Sequence, residues 1–218
     1  MRKKGFIFDL DGVIVDTAKY HYLAWKKLAN GIGIDFSEEQ NEQLKGVSRV
    51  RSLEKILGWG NVQLSSSEFT ELMAKKNDDY LSHIESMDEN EILPDVQKTL
   101  DYLTEREQPI ALGSASKNAR SILKEVGLLT KFDAIVDGND VHNAKPDPEV
   151  FLIAAERINM NPEECIVFED SVAGIQAANI ANMVSIGIGD PAVLHEADHV
   201  FADFTEMNSN FIEQLIKQ

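Results

Sequence analysis

GFIFDLDGVIVDT, residues 5–17, is the stretch on which the reading of this chain turns. Phe6, Ile7 and Phe8 run straight into Asp9, and Asp11 follows one residue later, then Gly12. A continuous apolar run of this length reads as a buried strand rather than one face of a helix. Residues i and i+2 point to the same side, so Asp9 and Asp11 project together while Leu10 turns into the core. Two carboxylates that close repel each other and call for a cation or a shared proton.

Four more apolar runs repeat the pattern: IALG (110–113), AIV (134–136), CIVF (165–168) and VSIGIG (184–189). Helical periodicity separates them. PDVQKTLDYLTERE opens with Pro94 near its first turn and repeats Val96, Leu100 and Leu103. SKNARSILKEVG stops at Gly127, and PEVFLIAAERI and SVAGIQAANIAN follow the same logic. Strand alternating with helix predicts an α/β fold, a doubly wound parallel sheet with helices on both faces. From Asp16 to about Ile92 the sequence offers no strand, only helices. Ser37 with Gln40 and Ser65 with Glu68 form capping boxes, and Leu53, Ile56 and Leu57 share one face. This block reads as an all-α insert, with links near 15–17 and 91–94 as its two hinge strands.

The chain has 218 residues, 43% hydrophobic and 27% charged, and suits one large domain or one domain with an insert. No apolar run approaches the roughly 20 residues of a membrane span, and the run after Arg2, Lys3 and Lys4 is too short for a signal peptide. The single cysteine, Cys165, opens CIVF and reads as core filler, so a reducing, cytoplasmic home is expected. A formal net charge of -16 argues against nucleic acid as a partner. It also repels any phosphorylated metabolite, so cations near a candidate site carry extra weight.

In open α/β sheets ligands bind at the carboxyl ends of the strands. There Asp9 and Asp11 meet a second acidic pair, Glu169 and Asp170, which directly follows CIVF. A lone aspartate after a strand often does no more than cap a helix. Two acid pairs, each after a buried strand, form an oxygen-ligand set in the style of Mg²⁺. Ser114 follows IALG, where its hydroxyl and the next helix N-terminus can receive an anion. Lys145 precedes Pro146 in KPDP; alone it would read as a solvated lysine, beside the other parts as a phosphate ligand.

FDLDGVIVDT, SAS, KPDP and FEDS, in that order, resemble the four motifs of the haloacid dehalogenase superfamily, and the resemblance covers the whole chain. It implies a HAD-like core at 1–15 and 93–218, with the helical segment 16–92 as a cap. It implies Asp9 as the nucleophile that takes a phosphoryl group and Asp11 as general acid–base. Ser114 and Lys145 would steady the phosphate. Mg²⁺ would be held by Asp9, the main-chain carbonyl of Asp11 and Asp170, with Glu169 nearby or acting through water.

Within the insert, NEQLKGVSR (41–49) and KKND (75–78) resemble the caps of sugar-phosphate mutases in that superfamily. The expected substrate is a small hexose phosphate. Its far phosphate would meet Arg49, Lys117, Ser116 and Asn118, with Ala115 in the same loop. Gly46 and Val47 would offer backbone groups, Ser52 and Lys76 would face the cleft, and Thr17 and His21 would sit at the hinge beside Asp11. Closure of the cap over substrate would bring Asp11 into line with Asp9. Val50 and Arg51 depart from the family's acidic pattern, and Arg51 is expected to add a cation near the cap loop. A sugar-phosphate phosphatase with the same core and cap is the alternative. A receiver-like phosphoacceptor module fits less well, because it needs neither the insert nor the distal cations. A monomer is expected.

Overall fold

Why the five apolar runs are continuous is plain in the computed structural model, which describes residues 3–44 and 47–217. They form strands β1 (Gly5–Phe8), β2 (Ile110–Gly113), β3 (Ala134–Val136), β4 (Cys165–Glu169) and β5 (Val184–Ile188). A further strand, β6 (His199–Phe201), closes one edge of a six-stranded sheet in the order β3-β2-β1-β4-β5-β6. Every pairing is parallel. The order reverses beside β1, so the crevice of a doubly wound sheet opens at the carboxyl ends of β1 and β4.

Both faces of the sheet are buried, which removes the usual alternation of apolar and polar residues. Phe6, Phe8, Leu112 and Phe168 pack on one side with residues of α5 (Val96–Glu105), α6 (Ala119–Glu125) and α9 (Ser209–Lys217). Ile7, Ala111 and Val167 pack on the other with α7 (Glu149–Arg157) and α8 (Val172–Ile180). Cys165 lies in that second cluster, fully buried. Helix α5 begins at Val96, after Asp95 in a left-handed conformation (φ 57°), so Pro94 stands just outside its first turn.

Between β1 and α5 run α1 (Ala18–Gly31), α2 (Glu38–Glu42), α3 (Arg49–Gly60) and α4 (Ser66–Ile84), with no strand among the described residues. Both expected capping boxes are present, Ser37–Gln40 on α2 and Ser65–Glu68 on α4. Trp25, Leu28, Phe36, Leu53 and Ile56 build a cluster of the insert's own. The insert is not wholly self-contained: Ala24, Tyr80 and Ile84 belong to the cluster that runs through the sheet. The two links pair where hinge strands were expected. Val15 bridges Ile92 antiparallel, Asp16 N donates to Glu91 O (3.1 Å) and Leu93 N to Ile14 O (3.0 Å). No described helix is long and apolar enough to cross a membrane.

Phe168 is the keystone of the aromatic layer under the crevice, stacked on Phe8 (4.6 Å between ring centres) and close to Phe204 (5.5 Å). Phe168→Ala is expected to cost about 3–5 kcal/mol of folding stability, read as a lowered midpoint in urea unfolding.

Candidate active site

β1 delivers Asp9 to the crevice and β4 delivers Glu169 and Asp170 beside it. Lys145, only 1% exposed in its side chain, reaches between them: Nζ donates to Asp9 Oδ1 (2.5 Å) and Glu169 Oε2 (2.6 Å). Glu169 is held from behind, Oε1 accepting from Ser171 N (3.1 Å) and Ser171 Oγ (2.6 Å). Ser171 also caps α8, its Oγ accepting from Gly174 N (3.1 Å). Burial pushes the Asp9 carboxyl up to about 7; Lys145 opposes the shift, and Glu169 and Asp11 add to it. Burial works to lower Lys145, but Asp9 and Glu169 outweigh it and hold the ammonium well above its ordinary range.

Asp11 stands at the root of the first hinge link. Its Oδ1 accepts from the hydroxyl of Thr17, the fully buried residue that opens α1. Burial raises the Asp11 carboxyl, while the Thr17 hydroxyl and the charge of Lys76 pull it down. His21, one turn further along α1, places Nδ1 2.9 Å from Lys76 Nζ. Lys76 comes from α4 and is 2% exposed, its ammonium lying 4.7 Å from the ring centre of Trp25 and 4.4 Å from that of Tyr80. Burial first, then Arg49, depresses Lys76 to about 7. Burial, with Lys76 and Arg49, drives His21 well below its ordinary value, which keeps the imidazole neutral.

The third wall is the loop after β2. Ser114 Oγ accepts from Ser116 N (3.1 Å) and Ser116 Oγ from Asn118 N (3.3 Å). These hydroxyls therefore already satisfy part of the helix N-terminus that was expected to receive an anion. Gly138 allows the neighbouring loop to approach: a Cβ there would fall 2.3 Å from the Ala115 carbonyl. Asn118 Nδ2 donates to Asn77 Oδ1 (3.1 Å), a bond from the core to α4 of the insert.

One cavity of about 350 Å³ joins these parts. Asp9, Asp11, Asp170, Ser114 and Lys145 line it at the sheet edge. Thr17, His21, Val47, Arg49, Ser52 and Lys76 line it from the insert, and Ala115, Ser116, Lys117 and Asn118 from the loop after β2. Glu169 sits behind it, fully buried, and Gly46 lies outside the described residues. Arg51, expected as a cation near the cap loop, lies two residues from Arg49 at the start of α3; it does not line the cavity and pairs with Glu54 on the exposed side of that helix (2.6 Å). Trp25, Met73 and His142 also line the cavity, and none of the three was singled out in the sequence as a site residue.

A family model described as haloacid dehalogenase-like hydrolase matches residues 3–182. The chain belongs to the haloacid dehalogenase-like family. It is 39% identical to a β-phosphoglucomutase of Bacillus subtilis over 97% of this chain and 94% of that protein. It is 43% identical to a β-phosphoglucomutase of Clostridium difficile whose crystal structure superimposes with a TM-score of 0.94, covering 99% of this chain and 97% of that one. It is also 32% identical to a fructose-1-phosphate phosphatase of Escherichia coli, over 86% of this chain and 97% of that protein.

Like other haloacid dehalogenase-like chains, this one has an acidic cluster suited to a metal. Asp9, Glu169 and Asp170 each offer an oxygen, all within 4.8 Å of one another. A purely oxygen donor set suits a hard divalent cation. Gly12 makes room for it: with φ 78°, its missing Cβ would sit 2.2 Å from Asp170 Oδ2. The four-carboxylate set expected from sequence is thus a set of three. The Asp11 carboxylate turns to Thr17 and stands outside the cluster.

Gly174 offers a test of how tightly this edge is built. A glycine inside a helix ordinarily gains about 1 kcal/mol when replaced by alanine. Here the new Cβ would fall 2.2 Å from Glu169 Oε2, a buried oxygen already held by Lys145. Such overpacking costs about 1–3 kcal/mol. Gly174→Ala is therefore expected to lower the melting temperature and weaken divalent-cation binding, checked by calorimetry of both.

Proposed function

We propose that this chain catalyses the β-phosphoglucomutase reaction, interconverting β-D-glucose 1-phosphate and β-D-glucose 6-phosphate through an aspartyl phosphate and β-glucose 1,6-bisphosphate. The observation that carries the reading is the single cavity with an acid cluster at one end and cations for a second phosphate at the other. The near full-length likeness to two β-phosphoglucomutases supports it.

In this reading an Asp9 oxygen attacks phosphorus, and the bond from phosphorus to the sugar oxygen breaks. Asp11 gives its proton to that leaving oxygen. The sugar then presents its other hydroxyl, Asp11 takes that proton, and the phosphoryl group returns from Asp9. The burial that raises Asp11 favours its protonated form, the form a general acid needs. Lys145 counters the charge of the incoming group and, with Ser114, steadies it. Mg²⁺ held by Asp9, Asp170 and the Asp11 main-chain carbonyl, with Glu169 nearby, would supply further charge neutralisation at the phosphoryl oxygens. Arg49, Lys117, Ser116 and Asn118 hold the distal phosphate; Val47 and Ser52 face the sugar. Segment 16–92 acts as the cap over core segments 1–15 and 93–218. Its closure excludes water and carries Asp11 from Thr17 toward Asp9. The same reading keeps the expectations of a cytoplasmic monomer with no nucleic-acid partner.

The test is an assay with β-glucose 1-phosphate, Mg²⁺ and a trace of the 1,6-bisphosphate, following glucose 6-phosphate and inorganic phosphate together. Isomerised sugar without matching phosphate, abolished by Asp9→Asn, is the expected result. Phosphate without isomerised sugar would assign the chain to the phosphatases it also resembles. Arg49→Ala is expected to lose about ten- to a hundredfold in kcat/KM, the scale of a charge-assisted hydrogen bond.

Lys76 gives a pH prediction. Its ammonium form binds phosphate, and in the empty site that form is lost as pH rises through about 7. The parent's KM should therefore climb between about pH 6 and pH 9. In Lys76→Met the KM should be higher at the acid end and climb less. Parallel pH profiles for the two proteins would remove Lys76 from phosphate binding.

A further inference from the structure

The short helix α2 turns one asparagine inward. Glu38, Glu39, Glu42 and the following Gln43 are exposed, while Asn41 and Leu44, three residues apart on the opposite face, are buried. Asn41 is only 7% exposed, and both it and Leu44 line the cavity. The Asn41 main chain is satisfied: its N–H donates to the Ser37 carbonyl (3.1 Å), and its carbonyl accepts from Leu44 N (2.9 Å). Its side-chain amide is not. Among the described residues no group hydrogen-bonds to it. The Tyr80 hydroxyl is likewise without a partner, but it is sealed in the core and away from the cavity, where no ligand reaches it. The Asn41 amide borders the space a ligand would fill. A buried amide without a partner is costly, and asparagine is a weak helix former. On both counts alanine would serve the fold of α2 better.

We infer that Asn41 is a specificity-determining residue whose side-chain amide hydrogen-bonds a ring hydroxyl of the sugar. Charge decides for a hydroxyl over a phosphate. Arg49, Lys76, Lys117 and Lys145 are the cations that line the cavity and suit its anionic groups. The amide is neutral and carries both donors and an acceptor, which matches a hydroxyl that gives one proton and accepts another. Leu44, Val47, Trp25 and Met73 make much of the insert's wall apolar. On such a wall a few placed polar groups fix the orientation of the ligand. A sugar that offers its hydroxyl there pairs the amide; one that lacks it leaves the amide unpaired. The inference rests on a hexose phosphate as substrate, which a mutase and a sugar-phosphate phosphatase would share.

Asn41→Ala removes the amide and leaves a good helix former. The expected result is an equal or higher melting temperature and a kcat/KM for β-glucose 1-phosphate lowered about three- to tenfold, the scale of one neutral hydrogen bond. The deciding comparison uses the 2-, 3- and 4-deoxy analogues of that substrate. On the analogue that lacks the bonded hydroxyl, parent and variant should have equal kcat/KM, because the bond is already gone. On the other two the variant should keep its deficit. Turnover is read as whichever product the parent makes, so a parent that releases phosphate without isomerising the sugar counts against the mutase reading and leaves this test standing. A variant with parental kcat/KM, or with the same deficit on all three analogues, would overturn the inference. So would a lowered melting temperature or an unfolded variant, since the amide would then serve the insert's own fold.

Discussion

Lys145, sealed between Asp9 and Glu169, is the interaction on which the rest depends. Buried carboxylates are tolerable only when paired and hydrogen-bonded. Without the lysine, two of them would face each other at the end of adjacent strands, and they would take up protons or force the edge open. The lysine's partners are fixed in turn by secondary structure. Glu169 is gripped by Ser171, and the same Ser171 hydroxyl caps α8. The catalytic edge and the helix start are therefore one hydrogen-bonded unit, and the acidic cluster is preorganised by the fold that presents it. One ammonium against three carboxylates leaves the cluster negative. That residual charge is what draws a divalent cation.

The insert and the core meet in two different ways, and the difference decides how they can move. At the hinge the links join through a few backbone bonds, which can pivot. Above it, Ala24, Tyr80 and Ile84 are packed into the sheet's own cluster, which resists sliding because close-packed side chains do not deform continuously. In the proposed reading, the insert closes by a pivot about this base. The Asn118–Asn77 bond lies across the mouth that such a pivot would open. In the proposed reading, a ligand that takes the Asn118 amide replaces that bond, which would couple occupancy of the distal end to the position of the insert.

Much of this was legible in the sequence because burial writes itself plainly there. The runs GFIF, IALG, AIV and CIVF are apolar throughout, since each strand is covered on both faces, and each run predicted its strand to within a residue. β6 escaped because His199–Phe201 is an edge strand with partly exposed residues and no apolar run to mark it. α9 left a signal that went unread: Ile212, Leu215 and Ile216 keep helical spacing and are buried. Helical phase separates Arg51 from its neighbours on α3. Two residues along a helix turn the side chain by roughly 200°, so Arg49 and Ser52 line the cavity while Arg51 meets solvent and Glu54. Tyr80 could not be read at all. At helical spacing from Ile84 on α4 it is one more core residue, and only the coordinates show a hydroxyl without a partner.

The global charge of -16 and an anionic substrate are reconciled by where the cations lie. Exposed acidic groups act through water, where salt screens them beyond about 8–10 Å. Lys76 and Lys145 are buried, and their fields pass through protein instead. The cost of keeping them dry is visible at Lys76, which burial and Arg49 together depress to about 7. An empty distal end is thus a place where positive charges strain against one another. A neutral hydroxyl relieves little of that strain, and a phosphate dianion relieves most of it. Affinity at that end should therefore rise with the charge of the ligand group. Of the ligands in the proposed reaction, the bisphosphate is the one that satisfies both ends of the cavity at once.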